Sequence, residues 1–227
     1  MKKQKEEMRV LQSLQDNFTS MFFEQTFMSR LDWFIYLNKM APKGGVVFVG
    51  DSLTQEFLIR DVYPNRNYHN RGIGGDTTVG LLKRMDESIY QLEPSKVVLL
   101  IGTNDFAILH STPETVTDNI ERICRSIKEK LPGTELVLES IYPTISQDYK
   151  QIDEEAISQR SNIVIDAANE KLKLIAADMQ IEYVDINSSL KDANGQLKKE
   201  ISRDGLHLNT KGYEIVQCLL QPYLEVD

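Results

Sequence analysis

A serine, an asparagine and an Asp-x-x-His pair stand in this chain where one reaction could use them all. Ser52 follows the apolar run Val46-Val47-Phe48-Val49 and the turn Gly50-Asp51. Such a run reads as a buried strand, and the turn beyond it presents a hydroxyl at the start of the next helix. Amides at a helix start favour negative charge, so an alkoxide or oxyanion could be stabilised there. The simpler reading is that Ser52 or Asp51 only caps the helix, and this segment alone favours the cap. Asn104 follows a second run, Val97-Val98-Leu99-Leu100-Ile101, inside Gly102-Thr103-Asn104-Asp105. Asparagine is an ordinary turn residue, yet a side-chain amide in the same crevice as Ser52 is a suitable oxyanion donor. His207 comes three residues after Asp204 in Asp204-Gly205-Leu206-His207. That spacing lets the carboxylate fold back on the imidazole, fix its tautomer and stabilise the imidazolium. The order Ser52, Asp204, His207 matches one order known for hydrolytic triads. His69 and His110 have no such neighbour and read as structural or surface residues.

The stretch Arg71-Gly72-Ile73-Gly74-Gly75-Asp76-Thr77-Thr78 is rich in glycine, which lets a backbone approach a ligand and present its amides. It also reads as a plain strand-to-helix turn with Asp76 as N-cap. A dinucleotide fingerprint fails, because the sixth position from Gly72 is Thr77 rather than glycine. No Gly-Lys-Ser/Thr follows a strand, so a Walker phosphate loop is absent. Phosphoryl transfer by Asp51 would want a second aspartate two residues on, where this chain has Leu53. No Cys/His cluster has metal spacing, so no metal is expected.

These residues need a scaffold that brings strand ends together. The chain has 227 residues, enough for one sizeable α/β core. Beside the two runs above, Leu136-Val137-Leu138 and Ile181-Glu182-Tyr183-Val184 read as strands. Asn67-Tyr68-His69-Asn70 reads as a more polar one near an edge. Helical stripes separate them. Val116, Ile120, Ile123 and Ile127 lie within Ser111 to Leu131, opened by a capping box at Ser111-Thr112-Pro113-Glu114. Val164, Ala168, Leu172 and Ile175 form another. Alternation of this kind implies βαβ units and a parallel sheet covered on both faces. Residues 1–45 read as a helical extension packed on the 46–227 unit. Its apolar positions are Leu11, Leu14, Phe18, Met21 and Phe22, then Phe27, Leu31, Phe34 and Tyr36 around Trp33. Its Phe and Met content makes a homodimer contact an open alternative to packing. Tyr142 to Gln159 reads as a polar loop or lid. Cys124 and Cys218 fall on helical stripes and read as two buried thiols of a reducing compartment. The formal charge of -8 argues against a nucleic-acid partner. No stretch approaches the ~20 apolar residues of a membrane span. No signal-peptide core follows Met1, so cytoplasmic residence is the default expectation.

The four blocks together resemble the GDSL/SGNH hydrolases. Gly50-Asp51-Ser52-Leu53 matches the nucleophile block, Gly75 the second, Asn104 the third and Asp204-Gly205-Leu206-His207 the last. The resemblance runs from about Val46 to the C-terminus. It is nearest, through Gly72 to Thr78, to the platelet-activating-factor acetylhydrolase branch. It implies a three-layer α/β/α flavodoxin-like sandwich with a mostly parallel five-stranded sheet. It implies a serine esterase acting on a small-molecule acyl ester, with short acyl groups favoured over lysophospholipids and thioesters. It gives Ser52 as nucleophile, His207 as base then acid, and Asp204 as the orienting carboxylate. The Ser52 and Gly75 amides and the Asn104 side chain would form the oxyanion hole. A non-catalytic module that kept the fold is the rival reading.

Overall fold

Five short strands build the centre of the molecule, and their order places two chemistry-bearing turns side by side. The computed structural model describes residues 21, 24–145, 157 and 159–224. The strands are β1 (Val46–Gly50), β2 (Tyr68–Gly72), β3 (Lys96–Leu100), β4 (Glu135–Glu139) and β5 (Glu182–Val184). They pair in the order β2-β1-β3-β4-β5, and every pairing is parallel. This is the flavodoxin-like order, whose switch point lies between β1 and β3. Ser52 follows β1 and Asn104 follows β3, so both leave the sheet at that point. The polar run containing His69 is the edge strand β2, as its composition suggests.

Alternate side chains of each strand feed two cores, as the two-residue period of a strand requires. On one face Val47, Val49, Val97, Leu99, Leu136 and Leu138 pack against helices. These are α3 (Thr78–Lys83), α5 (Pro113–Lys130) and α6 (Asn162–Met179). On the other face Val46, Phe48, Val98, Leu100 and Val137 meet Leu53 of α2 (Ser52–Glu56) and Val216 and Leu220 of α7 (Thr210–Leu220). The result is the expected three-layer sandwich. No helix among the described residues is long and apolar enough to cross a membrane.

Helix α1 (24–38) lies against the β2 side of this unit. Phe34 is buried, the Arg30 guanidinium donates to the Gly72 carbonyl at 2.8 Å, and the Asn38 amide donates to Glu87 O at 2.7 Å. Tyr36 does not join that inner face; it is exposed, with Trp33, Met28 and Met40. Leu11, Leu14, Phe18 and Phe22 lie outside the described residues.

Three local expectations shift. Helix α5 is capped by Thr112, whose hydroxyl accepts from Thr115 N at 3.3 Å. Pro113 therefore occupies the first helical position, and Glu114 pairs with Lys171 on α6 instead of closing a box on Ser111. Helix α3 is capped by Thr77, since Asp76 is held elsewhere. Cys124 is buried, but Cys218 is exposed. Its neighbours Val216 and Leu220 take the inward positions, and a residue two steps from each points about 200° away from them. Most of the Tyr142 to Gln159 segment lies outside the described residues; Tyr142 and Ile145 at its start are buried.

Candidate active site

Each polar turn is shaped by short-range bonds before it meets the others. Asp51 caps α2: its Oδ1 accepts from Leu53 N at 2.9 Å. That leaves Ser52 as the first helical residue, with a partly exposed side chain. Asp51 itself is fully buried, which pushes its carboxyl up to about 7 and withholds it from any substrate. At the other end of the chain Asp204 Oδ1 accepts from the backbone N–H of Leu206 at 3.0 Å and of His207 at 2.7 Å. Gly205, at φ +92°, takes the left-handed conformation that closes this turn. Its amide donates to Ser202 Oγ at 2.7 Å, and its carbonyl accepts from Ile145 N at 2.8 Å. Asn209 then caps α7, and Tyr213 of α7 donates its hydroxyl to Leu53 O at 2.8 Å. That bond ties the helix behind His207 to the helix that begins at Ser52.

The two turns meet. His207 Nε2 lies 2.9 Å from Ser52 Oγ, and His207 Nδ1 lies 2.7 Å from Asp204 Oδ2. Burial pushes the Asp204 carboxyl up, but the backbone and ring N–H groups of His207 and the Leu206 N–H outweigh it and hold it below its ordinary value. An ionised carboxylate on Nδ1 leaves Nε2 as the acceptor facing the serine hydroxyl. The side chains of His207 and Asp204 stay partly open to solvent, at 20% and 32% exposure, so a substrate can reach them.

Asn104 lies in the first turn of α4 (Thr103–Ile108) and is buried. Its Nδ2 donates to the Asp76 carbonyl at 2.9 Å, which fastens α4 to the loop that carries Gly75. Gly75 has φ +75° and only a glycine takes that shape without strain. A Cβ placed on the preceding Gly74 would stand 3.9 Å from Ser52 Cβ, so this loop runs directly against the serine.

Three residues to which the sequence reading gave no role hold this arrangement. Arg84 is fully buried and donates to Asp76 Oδ2 at 2.7 Å, Arg71 O at 2.8 Å, Ser88 Oγ at 2.7 Å and Gly50 O at 2.8 Å. It thereby joins the ends of β1 and β2 to the glycine loop. Asp105 accepts from both the backbone N–H and the hydroxyl of Thr78, seating α3 on α4. Arg160 donates to Asn104 Oδ1 at 2.8 Å and to Thr103 O at 3.2 Å. His69 and His110 stay away from these bonds. His69 is buried in β2, and burial with the nearby Arg71 charge takes its imidazole down to about 4. No cluster among the described residues could hold a metal ion.

A hydroxyl, an imidazole and a carboxylate in one line, at the switch point of a parallel α/β sheet, mark the class of nucleophilic acyl-transfer hydrolases. Residues 48–215 match the model of the GDSL-like Lipase/Acylhydrolase family, and the chain belongs to that family. It is a hydrolase. Platelet-activating factor acetylhydrolase IB subunit alpha1 of Bos taurus is 28% identical over 173 residues, covering 74% of this chain and 69% of the relative. A solved chain from Streptococcus pneumonia, assigned as a platelet activating factor, superposes with a TM-score of 0.86 at 30% identity. That match covers 94% of this chain and 99% of the other. A solved Bacteroides fragilis chain assigned as an acylhydrolase gives a TM-score of 0.73 at 27% identity, covering 83% and 92%.

Proposed function

We propose that this hydrolase is a serine esterase that cleaves short-chain acyl esters, acetyl esters first among them, through an acyl-enzyme. The observation that carries the reading is the unbroken line from Ser52 Oγ to His207 Nε2 (2.9 Å) and from His207 Nδ1 to Asp204 Oδ2 (2.7 Å). Serine is a poor nucleophile until a base accepts its proton, and His207 stands within reach of that proton. Ser52 Oγ attacks the ester carbonyl while its proton passes to Nε2. Asp204 stabilises the imidazolium. The negative oxygen of the tetrahedral intermediate is received by the Ser52 and Gly75 amides and the Asn104 side chain. His207 then returns the proton to the departing alkoxide, and the alcohol leaves. Water, deprotonated by the same imidazole, attacks the acyl-serine and releases the carboxylic acid and free Ser52. No step calls for a metal or an organic cofactor.

The preference for a small acyl group draws on likeness to the Bos taurus acetylhydrolase subunit, whose name gives its acyl group as acetyl. Two measurements test the reading. A fluorophosphonate should label the protein, and Ser52→Ala should abolish labelling; a Ser52→Ala protein that still labels or still hydrolyses p-nitrophenyl acetate overturns the nucleophile. Initial rates across p-nitrophenyl esters of increasing chain length, beside acetylated sugars, lysolipids and acyl-CoA, should peak at the shortest acyl groups. A maximum at long chains refutes the short-acyl assignment and leaves the esterase chemistry standing.

A further inference from the structure

We infer that Arg160 is a positioning residue for this reaction: its guanidinium fixes which end of the Asn104 amide faces the oxyanion and polarises that amide. The inference rests on the oxyanion role given to Asn104 above.

A primary amide can turn end for end with almost no change of shape. In one orientation it offers N–H groups to a neighbouring oxygen, and in the other it offers a carbonyl that would repel an oxyanion. Two opposed partners remove the choice here. Arg160 Nη2 donates to Oδ1 at 2.8 Å, and the Asp76 carbonyl accepts from Nδ2 at 2.9 Å. Turning the amide over would set NH2 against a guanidinium and Oδ1 against a carbonyl oxygen, so both bonds would be replaced by repulsions. Arg160 is 7% exposed and Asn104 is 3% exposed, so water has little room to substitute for either partner. The amide has two N–H bonds. Asp76 O takes one, and the other is left for the reacting oxygen.

Arginine suits this post for two further reasons. Its fork grips the first turn of α4 twice, because Nε also donates to Thr103 O at 3.2 Å. A single ammonium cannot reproduce that pair of directions. Its charge also draws electron density toward Oδ1, and a charge-assisted bond at one end of an amide makes the N–H at the other end a better donor. Buried Asp51, next to Ser52, exerts an opposite charge on the guanidinium and helps keep it ionised despite its burial. The positive charge is thus anchored behind the Asn104 amide, on the carbonyl end away from its free N–H.

The test is a double-mutant cycle on kcat with p-nitrophenyl acetate. Asn104→Ala should lower kcat about 10²–10³-fold, the usual loss for one oxyanion donor. Arg160→Ala should lower kcat about 10–100-fold with KM little changed, because the donor is still present but no longer held. The double variant should be no slower than Asn104→Ala alone, since Arg160 acts only through that amide. Added guanidinium should restore part of the rate to Arg160→Ala and none to the double variant. If far-UV circular dichroism shows Arg160→Ala unfolded, Arg160→Lys takes its place. Its kcat should fall below wild type, and that loss should vanish on the Asn104→Ala background. Losses that multiply in the double variant, or an Arg160 variant with wild-type kcat, overturn the inference. An Asn104→Ala enzyme with unchanged kcat and raised KM instead overturns the oxyanion assignment on which the inference stands.

Discussion

Replacing Arg84 by methionine should cost this protein about 3–5 kcal/mol of stability, the usual penalty for leaving one partner of a buried ion pair alone. The side chains of Arg84 and Asp76 are 1% and 3% exposed, and 2.7 Å separates them. Methionine fills similar space but donates nothing. Asp76 then keeps only the Thr77 N–H at 2.8 Å on its other oxygen. The Gly50 carbonyl suffers less, because it still accepts from Ile73 N at 3.1 Å. The uncompensated carboxylate is therefore the main loss.

The pH dependence follows with a definite sign. Burial already pushes the Asp76 carboxyl up, and the Arg84 charge opposes that push. Without Arg84 the folded-state value rises further above the unfolded ~3.9. The folded variant then binds more protons than its unfolded state, so its stability falls as pH rises above ~4 and is recovered below it. Urea unfolding followed by far-UV circular dichroism at pH 5 and pH 8 should show a larger deficit at pH 8. At this chain length the neutral-pH loss corresponds to a melting temperature lower by about 6–20 °C. The variant Arg84→Met/Asp76→Asn should regain much of the loss by removing the stranded charge. A change under ~1 kcal/mol in Arg84→Met, or a double variant no better than the single, would refute the argument.

Asp204→Asn should leave the far-UV spectrum unchanged and lower kcat on p-nitrophenyl acetate by about 10⁴, the scale seen when a triad carboxylate is neutralised. Full activity would remove Asp204 from the proposed triad. Asp51→Asn keeps an acceptor for Leu53 N and removes a carboxyl that burial raises to about 7. A raised carboxyl destabilises progressively as pH climbs from ~4 toward 7. Urea midpoints of the Asn variant should therefore pull ahead of wild type over that range and stay ahead above it. Parallel midpoints from pH 4 to pH 8 would show that Asp51 has no such linkage.

What could be read from the chain depended on how far apart the partners lie. Strands β1 and β3 were plain because an unbroken apolar run between turns, too short for a helix, fits a buried strand. The Asp204–His207 bond was plain because three residues and a glycine suffice to make it. Ser52 needed the remaining blocks before it could be preferred to a helix cap, and Asp51 proves to be that cap. The miss at Cys218 came from phase, since an apolar helix pattern leaves two-residue neighbours on opposite sides.

Arg84 and Arg160 escaped for a different reason. Among their acceptors, Gly50 and Asn104 stand 34 and 56 residues away, and no local pattern announces a buried guanidinium. Read singly, each is an ordinary charged residue in a chain with 26 lysines and arginines. Only the sheet order makes them necessary. Parallel strands leave several carbonyls and turns converging at one edge, and those turns have no ladder partners of their own. A fork of donors reaching between strands satisfies several acceptors at once. Arg84 does this under the glycine loop and Arg160 under Asn104, so the turns around the partly exposed hydroxyl and imidazole are held by two buried cations that none of the four blocks contains.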